Sequence, residues 1–238
     1  MSQILDIVVA NRVLAEHGVI DGYGHVSARS ATNPNRYYIA RSLAPELVTE
    51  ADIMEFDLDS NPIDQQDRQM YSERYIHGQI YKSRPEVNAV VHNHSPSVIP
   101  FGITPVPMRP VYHMSGFIGA GIPVWDIAEA EKGTDMLVRS NYLGEVLAKK
   151  LGGCGAALMR GHGAVVVANN IPEVVGRSIY LEMNARLQMQ AMQIAGNATI
   201  NYLDDDEALA AAKFNDFLRA WNLWRNRALR QLADEKKA

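Results

Sequence analysis

The hydrophobic and polar positions of the chain follow first a helical period and then a shorter, strand-like one. Apolar residues recur at helical spacing from residue 3 until Gly18, which predicts a helix with one apolar face. Five short runs rich in apolar and β-branched residues come later, at 24–30, 36–42, 51–59, 89–95 and 156–168. Because turn sequences such as NPNR and DSNP lie between them, these runs predict strands of one sheet.

Helical spacing returns between and after these strands. The segments that show it span residues 72–85, 141–152, 171–196 and 204–238. Pro172 near the first turn and Gly196 at the end are typical helix boundaries. The last segment starts acidic, ends basic and carries large aromatic residues at helical spacing, which favours one terminal helix. This helix either completes the core or reaches another subunit.

The order of these elements predicts the fold class. No repeat, linker or break in composition divides the 238 residues, and this length is enough to bury a full core. The prediction is an α/β protein with a single domain over 1–238 and a C-terminal helical extension from about residue 205.

Composition and charge narrow the function. Apolar residues make up 47% of the chain and charged residues 21%, as in globular proteins. With 23 basic against 27 acidic residues and a net charge of −4, we expect neither nucleic acid nor a membrane as a partner. The single Cys154 excludes an internal disulfide, and the N-terminus has no basic region before its apolar residues. A cytoplasmic location is therefore expected.

Candidate metal ligands follow the fourth predicted strand. His92 and His94 occur as HNH after an apolar run, so the strand period of two places both imidazoles on one face. Such a pair can bind two adjacent positions of a cation. The spacing alone leaves a structural pair of histidines equally open.

Two other segments add to this pattern. His162 lies between two glycines at the start of an apolar run, and a third histidine at a strand end would complete a three-nitrogen set. Glu73 precedes His77 by four residues on a predicted helix. Its carboxylate could face the same cation as a general acid or base, while His77 is expected to orient other groups rather than to bind.

These motifs together resemble the class II aldolase/adducin family. The resemblance rests on E-x-x-x-H at 73–77, IYKSRPEVNAVVHNHS at 80–95 and RGHGAVVV at 160–167. It implies an α/β/α domain with a central, mainly antiparallel sheet, commonly assembled as a homotetramer with active sites near subunit interfaces. It also implies that His92, His94 and His162 bind a divalent metal and that Glu73 is the acid/base carboxylate. Imidazole ligands suit Mn, Zn, Fe or Co, and the resemblance favours Mn or Zn.

The sequence departs from the sugar-phosphate members of this family where they bind phosphate. The three corresponding segments read GHVS, RSLAP and YSE, which lack most of the amide and glycine elements of an anion-binding loop. Arginine and aromatic side chains nearby suit a planar carboxylate instead. The candidate substrate-binding residues are Arg29, Arg41, Ser42, Tyr71 and Arg109, and the reserve proton donors are His25 and His113.

Most of the chain resembles the branch of this family that decarboxylates hydroxylated aromatic acids, of the 3-hydroxy-2-methylpyridine-4,5-dicarboxylate 4-decarboxylase type. The expected function is a metal-dependent, non-oxidative decarboxylase, a carbon-carbon lyase acting on a small aromatic or heteroaromatic carboxylate. The alternatives are a metal-dependent retro-aldol lyase on a non-phosphorylated hydroxy acid, an iron-dependent oxygenative decarboxylase and a non-catalytic scaffold like adducin.

Overall fold

The computed structural model describes residues 2–119, 121–214, 216–235 and 237. Its helices are α1 Gln3–Glu16, α2 Tyr75–Ser83, α3 Ile99–Ile103, α4 Asn141–Leu151, α5 Ile171–Ala195, α6 Asp205–Phe214 and α7 Leu218–Glu235. Its strands are β1 His25–Arg29, β2 Arg36–Ala40, β3 Ile53–Asp57, β4 Ala89–Asn93, β5 Val124–Trp125, β6 Ala156–Met159 and β7 Gly163–Ala168. Among these residues, no helix is both long and apolar enough to span a bilayer.

The strands form one seven-stranded sheet in the order β3-β2-β1-β4-β7-β6-β5. Every neighbouring pair is antiparallel except β5 and β6, which confirms the mainly antiparallel sheet expected above. All five predicted runs contain strands. The run 156–168 divides into the hairpin β6–β7, and the two-residue β5 has no period-two pattern that could have predicted it.

Successive residues of the central strands point to opposite faces of the sheet, and each face carries its own core. On one face, Val91 of β4 and Val166 of β7 pack with apolar residues of α1, α5 and α7. On the other face, Val90 and Val165 pack with α2 and α4. The sheet is thus buried between two helical layers, which leaves the ends of its strands free to carry a site.

The C-terminal segment differs from the single helix that the sequence predicted. It forms two helices, and Phe217 between them has a φ of 55°, a left-handed backbone that interrupts a helix. The Phe217 ring packs against Gly176 of α5. A Cβ on Gly176 would lie 2.3 Å from Cγ of Phe217, so only a glycine leaves room for the ring. Trp221 and Trp224 join the core of this chain, whereas Phe214 is 91% exposed.

Candidate functional site

Four candidate metal-binding side chains meet at one edge of the sheet. His92 is in β4, His94 follows that strand, His162 lies in the β6–β7 turn, and Glu73 lies in the turn before α2. One potential ligand atom from each of the four lies within 4.8 Å of the others. The structure therefore brings together the residues that the sequence singled out, with Glu73 just before the helix instead of on it.

Two glycines let the β6–β7 turn approach the end of β4. Gly161 has a φ of 63°, which a glycine adopts without strain. A Cβ on Gly163 would lie 1.9 Å from the backbone oxygen of Asn93, closer than any side chain allows. The GHG sequence is therefore required locally for His162 to reach His92 and His94.

Hydrogen bonds orient two of the imidazoles. His92 Nδ1 lies 3.2 Å from the carbonyl oxygen of Ala164, and His94 Nδ1 lies 3.1 Å from both carboxylate oxygens of Asp21. Because these oxygens accept, each Nδ1 carries the proton and each Nε2 keeps its lone pair. Both lone pairs are then available at the cluster, as metal-binding histidines require.

The cluster fits a divalent cation. The Nε2 atom of His92 is buried and has no hydrogen-bond partner, while Nε2 of His94 and Nε2 of His162 are only 3.2 Å apart. Glu73 Oε2 lies 3.6 Å from the first and 3.5 Å from the last of these nitrogens. Three imidazole nitrogens and a carboxylate are a donor set that suits Zn, Mn, Fe or Co.

The environment of Glu73 keeps its carboxylate ionised. Burial acts to raise the pKa of Glu73, but His92 and His162 outweigh burial and hold the pKa well below its usual range. The other oxygen, Oε1, accepts a hydrogen bond of 2.9 Å from the backbone amide of Val138. Glu73 thus presents one fixed, charged oxygen to the three histidines, as a ligand for a cation requires.

The pocket beside this cluster has a volume of about 740 Å³. Of the residues proposed from the sequence, His25, Ser42, Tyr71 and Glu73 line it together with His94. The remaining lining residues are Gly22, Tyr23, Leu43, Ala44, Leu47, Ser72 and Leu137. Apart from Glu73, His25 and His94, these described residues have uncharged side chains. The pocket therefore has apolar and hydroxyl-bearing walls next to the Glu73 carboxylate.

Tyr71 and His25 form one wall of the pocket. Their ring centroids are 4.6 Å apart, and the Tyr71 hydroxyl donates a hydrogen bond to the carbonyl oxygen of Leu43. Burial raises the pKa of Tyr71 to about 12, so its hydroxyl stays protonated. Tyr71 therefore contributes a fixed aromatic surface.

The arginines proposed for substrate binding lie outside the pocket lining. Arg41 is next to the pocket residue Ser42, and its Nε donates a hydrogen bond of 2.6 Å to Asp52. Since this bond uses Nε, the terminal nitrogens of Arg41 are not needed for it. Arg41 is consequently the proposed arginine that the fold places nearest to the pocket.

Arg29 and Arg109 are located elsewhere. Arg29 is at the far end of β1 from His25, where its guanidinium donates to the carbonyl oxygens of Pro34, Val87, Tyr81 and Arg84. Arg109 lies 5.5 Å from the centroid of the Tyr202 ring. The sequence could not distinguish them from site residues, because an arginine bonded to buried carbonyls has the same local pattern as one that binds a ligand.

His113 begins a short 3₁₀ helix, His113–Ile118, and lines a different cavity with Tyr180, Phe214 and Phe217. The preceding segment is fixed by buried amides of α5. Asn184 and Gln188 of α5 hydrogen-bond to the backbone of residues 107–111. Within one chain, His113 is therefore not brought to the cluster.

Sequence reasoning missed Asp21, Val138 and Ser27. Asp21 bonds to His94 across 73 positions of sequence, and the Val138 amide bonds to Glu73 across 65. Ser27 bonds to His77 Nδ1 at 2.6 Å. A polar residue in a strand predicted to be buried was the signal for Ser27, whereas no local pattern identifies the other two.

Comparison with known proteins agrees with this geometry. The model of the Class II Aldolase and Adducin N-terminal domain matches residues 5–189. The chain belongs to the class II aldolase and adducin family. Class II aldolases use divalent metals, and the Glu73, His92, His94 and His162 cluster is able to hold one.

Two curated relatives in this family are decarboxylases. The chain is 36% identical to decarboxylase tropJ of Talaromyces stipitatus, over 89% of this chain and 88% of that protein. It is 31% identical to the 3,4-dihydroxyphthalate decarboxylase of Arthrobacter keyseri, over 85% of this chain and 83% of that protein. The family and these relatives support an enzyme of the lyase class.

Solved structures show the same fold. An aldolase II superfamily protein from Pseudomonas syringae superposes with a TM-score of 0.77 at 19% identity, over 96% of this chain and 92% of that chain. The L-fuculose 1-phosphate aldolase from Glaciozyma antarctica superposes with a TM-score of 0.74 at 21% identity, over 98% and 89%. The predicted class II aldolase-like fold is thereby confirmed.

Proposed function

We propose that this protein is a metal-dependent, non-oxidative decarboxylase of a hydroxylated aromatic or heteroaromatic carboxylate. The observation that carries the proposal is the convergence of Glu73 and three histidines beside a pocket walled by Tyr71. The decarboxylase relatives across most of the chain support the reaction class. The uncharged walls of the pocket suit a planar ring.

His92, His94 and His162, with Glu73 beside them, would hold the cation. A divalent cation bound there acts as a Lewis acid that withdraws electron density from an oxygen-bearing substrate. Hydrogen bonds at Nδ1 orient His92 and His94, and the β6–β7 turn places His162 beside them. The site is thus organised before any substrate enters.

Glu73 is the acid/base group of this proposal. Its ionised carboxylate takes the proton of the ring hydroxyl as the substrate binds. The bond from the ring to its carboxylate then breaks, the electron pair stays on the ring carbon, CO2 leaves, and that carbon takes the proton from Glu73. The ring oxygen regains its proton from water as the product leaves, so one proton is consumed for each CO2 released. A general acid of this kind contributes about 10²- to 10⁴-fold in rate.

The other candidate residues have supporting roles. His25 and Ser42 line the pocket, where they can hydrogen-bond to substrate oxygens, and Arg41 directly precedes Ser42 in the chain. His113 can serve only if a second copy of the chain brings it to the pocket, as a homotetramer with interfacial sites would. The cytoplasmic location expected from the sequence accompanies this proposal.

The test combines metal analysis with CO2 release. We expect near-stoichiometric Mn, Zn or Fe in the wild type and its loss in His92→Ala. His17→Ala is the matched control, because His17 packs against Trp224 with ring centroids 5.2 Å apart and does not belong to the cluster. Wild-type protein should release CO2 anaerobically from one member of a panel of hydroxylated aromatic dicarboxylates, beginning with 3,4-dihydroxyphthalate.

Other outcomes separate the alternatives. An aldehyde product from a hydroxy acid, without CO2, would favour the retro-aldol lyase, which uses the same histidines. Strict dependence on O2 would favour an oxygenative decarboxylase. Protein that neither contains nor takes up Mn, Zn or Fe would refute the mechanism and favour an adducin-like binding scaffold.

A further inference from the structure

A buried chain of hydrogen bonds runs from the pocket into the protein through His25. His25 Nδ1 lies 2.6 Å from His77 Nε2, His77 Nδ1 lies 2.6 Å from Ser27 Oγ, and Ser27 Oγ lies 2.7 Å from the Tyr81 hydroxyl. All four residues are 2% exposed or less. Each of these three hydrogen bonds is formed by one proton, which belongs to one of its two atoms. Once the donor of the first hydrogen bond is known, the donors of the other two follow.

The Tyr81 end of the chain sets this direction. A phenol donates a proton more readily than an aliphatic hydroxyl, and the Arg29 guanidinium lies 4.9 Å from the centroid of the Tyr81 ring. Among the described residues, Ser27 Oγ is the one acceptor within hydrogen-bond distance of the Tyr81 hydroxyl. Because this hydroxyl is buried, its proton has an acceptor only if Tyr81 donates to Ser27, whereas the reverse direction would leave that proton without a partner.

The consequence passes along the chain. Since Ser27 accepts from Tyr81, its own proton goes to His77 Nδ1. A neutral His77 then carries its proton on Nε2 and donates it to His25 Nδ1. His25 in turn carries its proton on Nε2, the one ring nitrogen that this chain does not use.

We infer that Tyr81, Ser27 and His77 are positioning residues that hold His25 as a permanent Nε2–H hydrogen-bond donor facing the pocket. This inference rests on the proposed function for its purpose: an N–H donor next to Glu73 selects substrates that place an anionic oxygen, such as a carboxylate, at His25. Arg29 then acts at the buried end of this hydrogen-bond chain, beside the Tyr81 ring, and not on the substrate.

Nitrogen NMR of the histidine side chains tests the inference directly. Protein labelled with ¹⁵N-histidine and prepared with zinc, which is diamagnetic, should show His25 and His77 protonated at Nε2 and unprotonated at Nδ1. The spectrum of His25→Gln assigns the His25 signals among those of the seven histidines. A wild-type spectrum with His25 protonated at Nδ1 would overturn the inference.

Tyr81→Phe tests the origin of the polarity. With the phenol proton removed, Ser27 can also accept from His77, so the ratio of the two His25 tautomers should fall about 2- to 12-fold, the factor that one neutral hydrogen bond contributes. Tyr37→Phe is the matched control. Tyr37 is also fully buried and its ring is 5.4 Å from that of Tyr81, but its hydroxyl bonds to Ser60, outside the chain of four. An unchanged ratio in Tyr81→Phe, or an equal change in Tyr37→Phe, would contradict the role of Tyr81.

The spectrum does not depend on activity, so the two proposals can fail separately. His25 protonated at Nε2 in protein that releases no CO2 would keep this inference and remove the decarboxylase. If Tyr81→Phe fails to fold, the wild-type spectrum still decides which nitrogen of His25 is protonated.

Discussion

Asp21 should control the metal affinity of the cluster although it donates no ligand atom to it. Both of its carboxylate oxygens lie 3.1 Å from His94 Nδ1, and Oδ1 also accepts from the backbone amides of Tyr23 and Gly24. In Asp21→Asn, the amide oxygen can keep the two backbone bonds. The new NH2 group then replaces the second oxygen beside His94 Nδ1, so His94 keeps only a neutral acceptor and loses the negative charge that makes Nε2 a stronger ligand.

The structure sets the size of this effect. Loss of a carboxylate partner behind a metal-binding histidine costs about 10- to 100-fold in metal affinity. The Asp21 side chain is 52% exposed and that of His94 is 21% exposed, so solvent screens the charge. We therefore expect the lower end, about a tenfold rise in Kd, or about 1.4 kcal/mol.

Competition with a fluorescent chelator measures the Kd for zinc in both proteins. Asp59→Asn is the control, because Asp59 is 51% exposed and pairs with the surface residue Lys82 at 2.7 Å. An Asp21→Asn Kd within twofold of wild type would refute the conclusion that His94 Nδ1 donates to Asp21 and thereby directs Nε2 into the cluster. An equal loss in Asp59→Asn would show that net charge, not this contact, controls the affinity.

Three further predictions test the site and the fold around it. Glu73→Gln should lower the rate of CO2 release by about 10²-fold or more, because it removes the acid/base group. A steady-state assay of the folded, metal-loaded variant measures this rate. Activity within threefold of wild type would exclude Glu73 as the acid/base group. Gly163→Ala should lower the free energy of unfolding by about 3 kcal/mol, because its Cβ would lie 1.9 Å from the backbone oxygen of Asn93. Gly153→Ala should leave the free energy of unfolding unchanged, because no atom lies within 4 Å of a Cβ there. Denaturant unfolding of the two variants measures the difference. Burial lowers the pKa of His77 from 6.5 to about 3, so in that window the unfolded chain binds a proton that the folded chain does not, and stability falls as the pH falls. Melting temperatures between about pH 7 and about pH 4 should then depend on pH less steeply in His77→Gln, and an equally steep profile would contradict this explanation.

The sequence by itself determined most of the secondary structure and the chemistry of the cluster. Periodicity identified five strand-containing runs and the long helices, because burial on one face imposes a spacing that is visible along the chain. His92, His94, His162 and Glu73 were found because each lies in a motif of a few residues. The GHG turn carries its own physical reason, since Gly163 is required by the close approach of Asn93.

Only the tertiary structure decided which polar residues serve that cluster. Arg29 and Arg109 looked like substrate ligands, but carbonyl groups of buried segments surround the first and Tyr202 packs against the second. Asp21 and Val138 touch the site through contacts with residues far away in sequence. Hydrogen bonds between distant segments leave no periodic pattern in either segment, because their partners meet only when the sheet and its helical layers have packed.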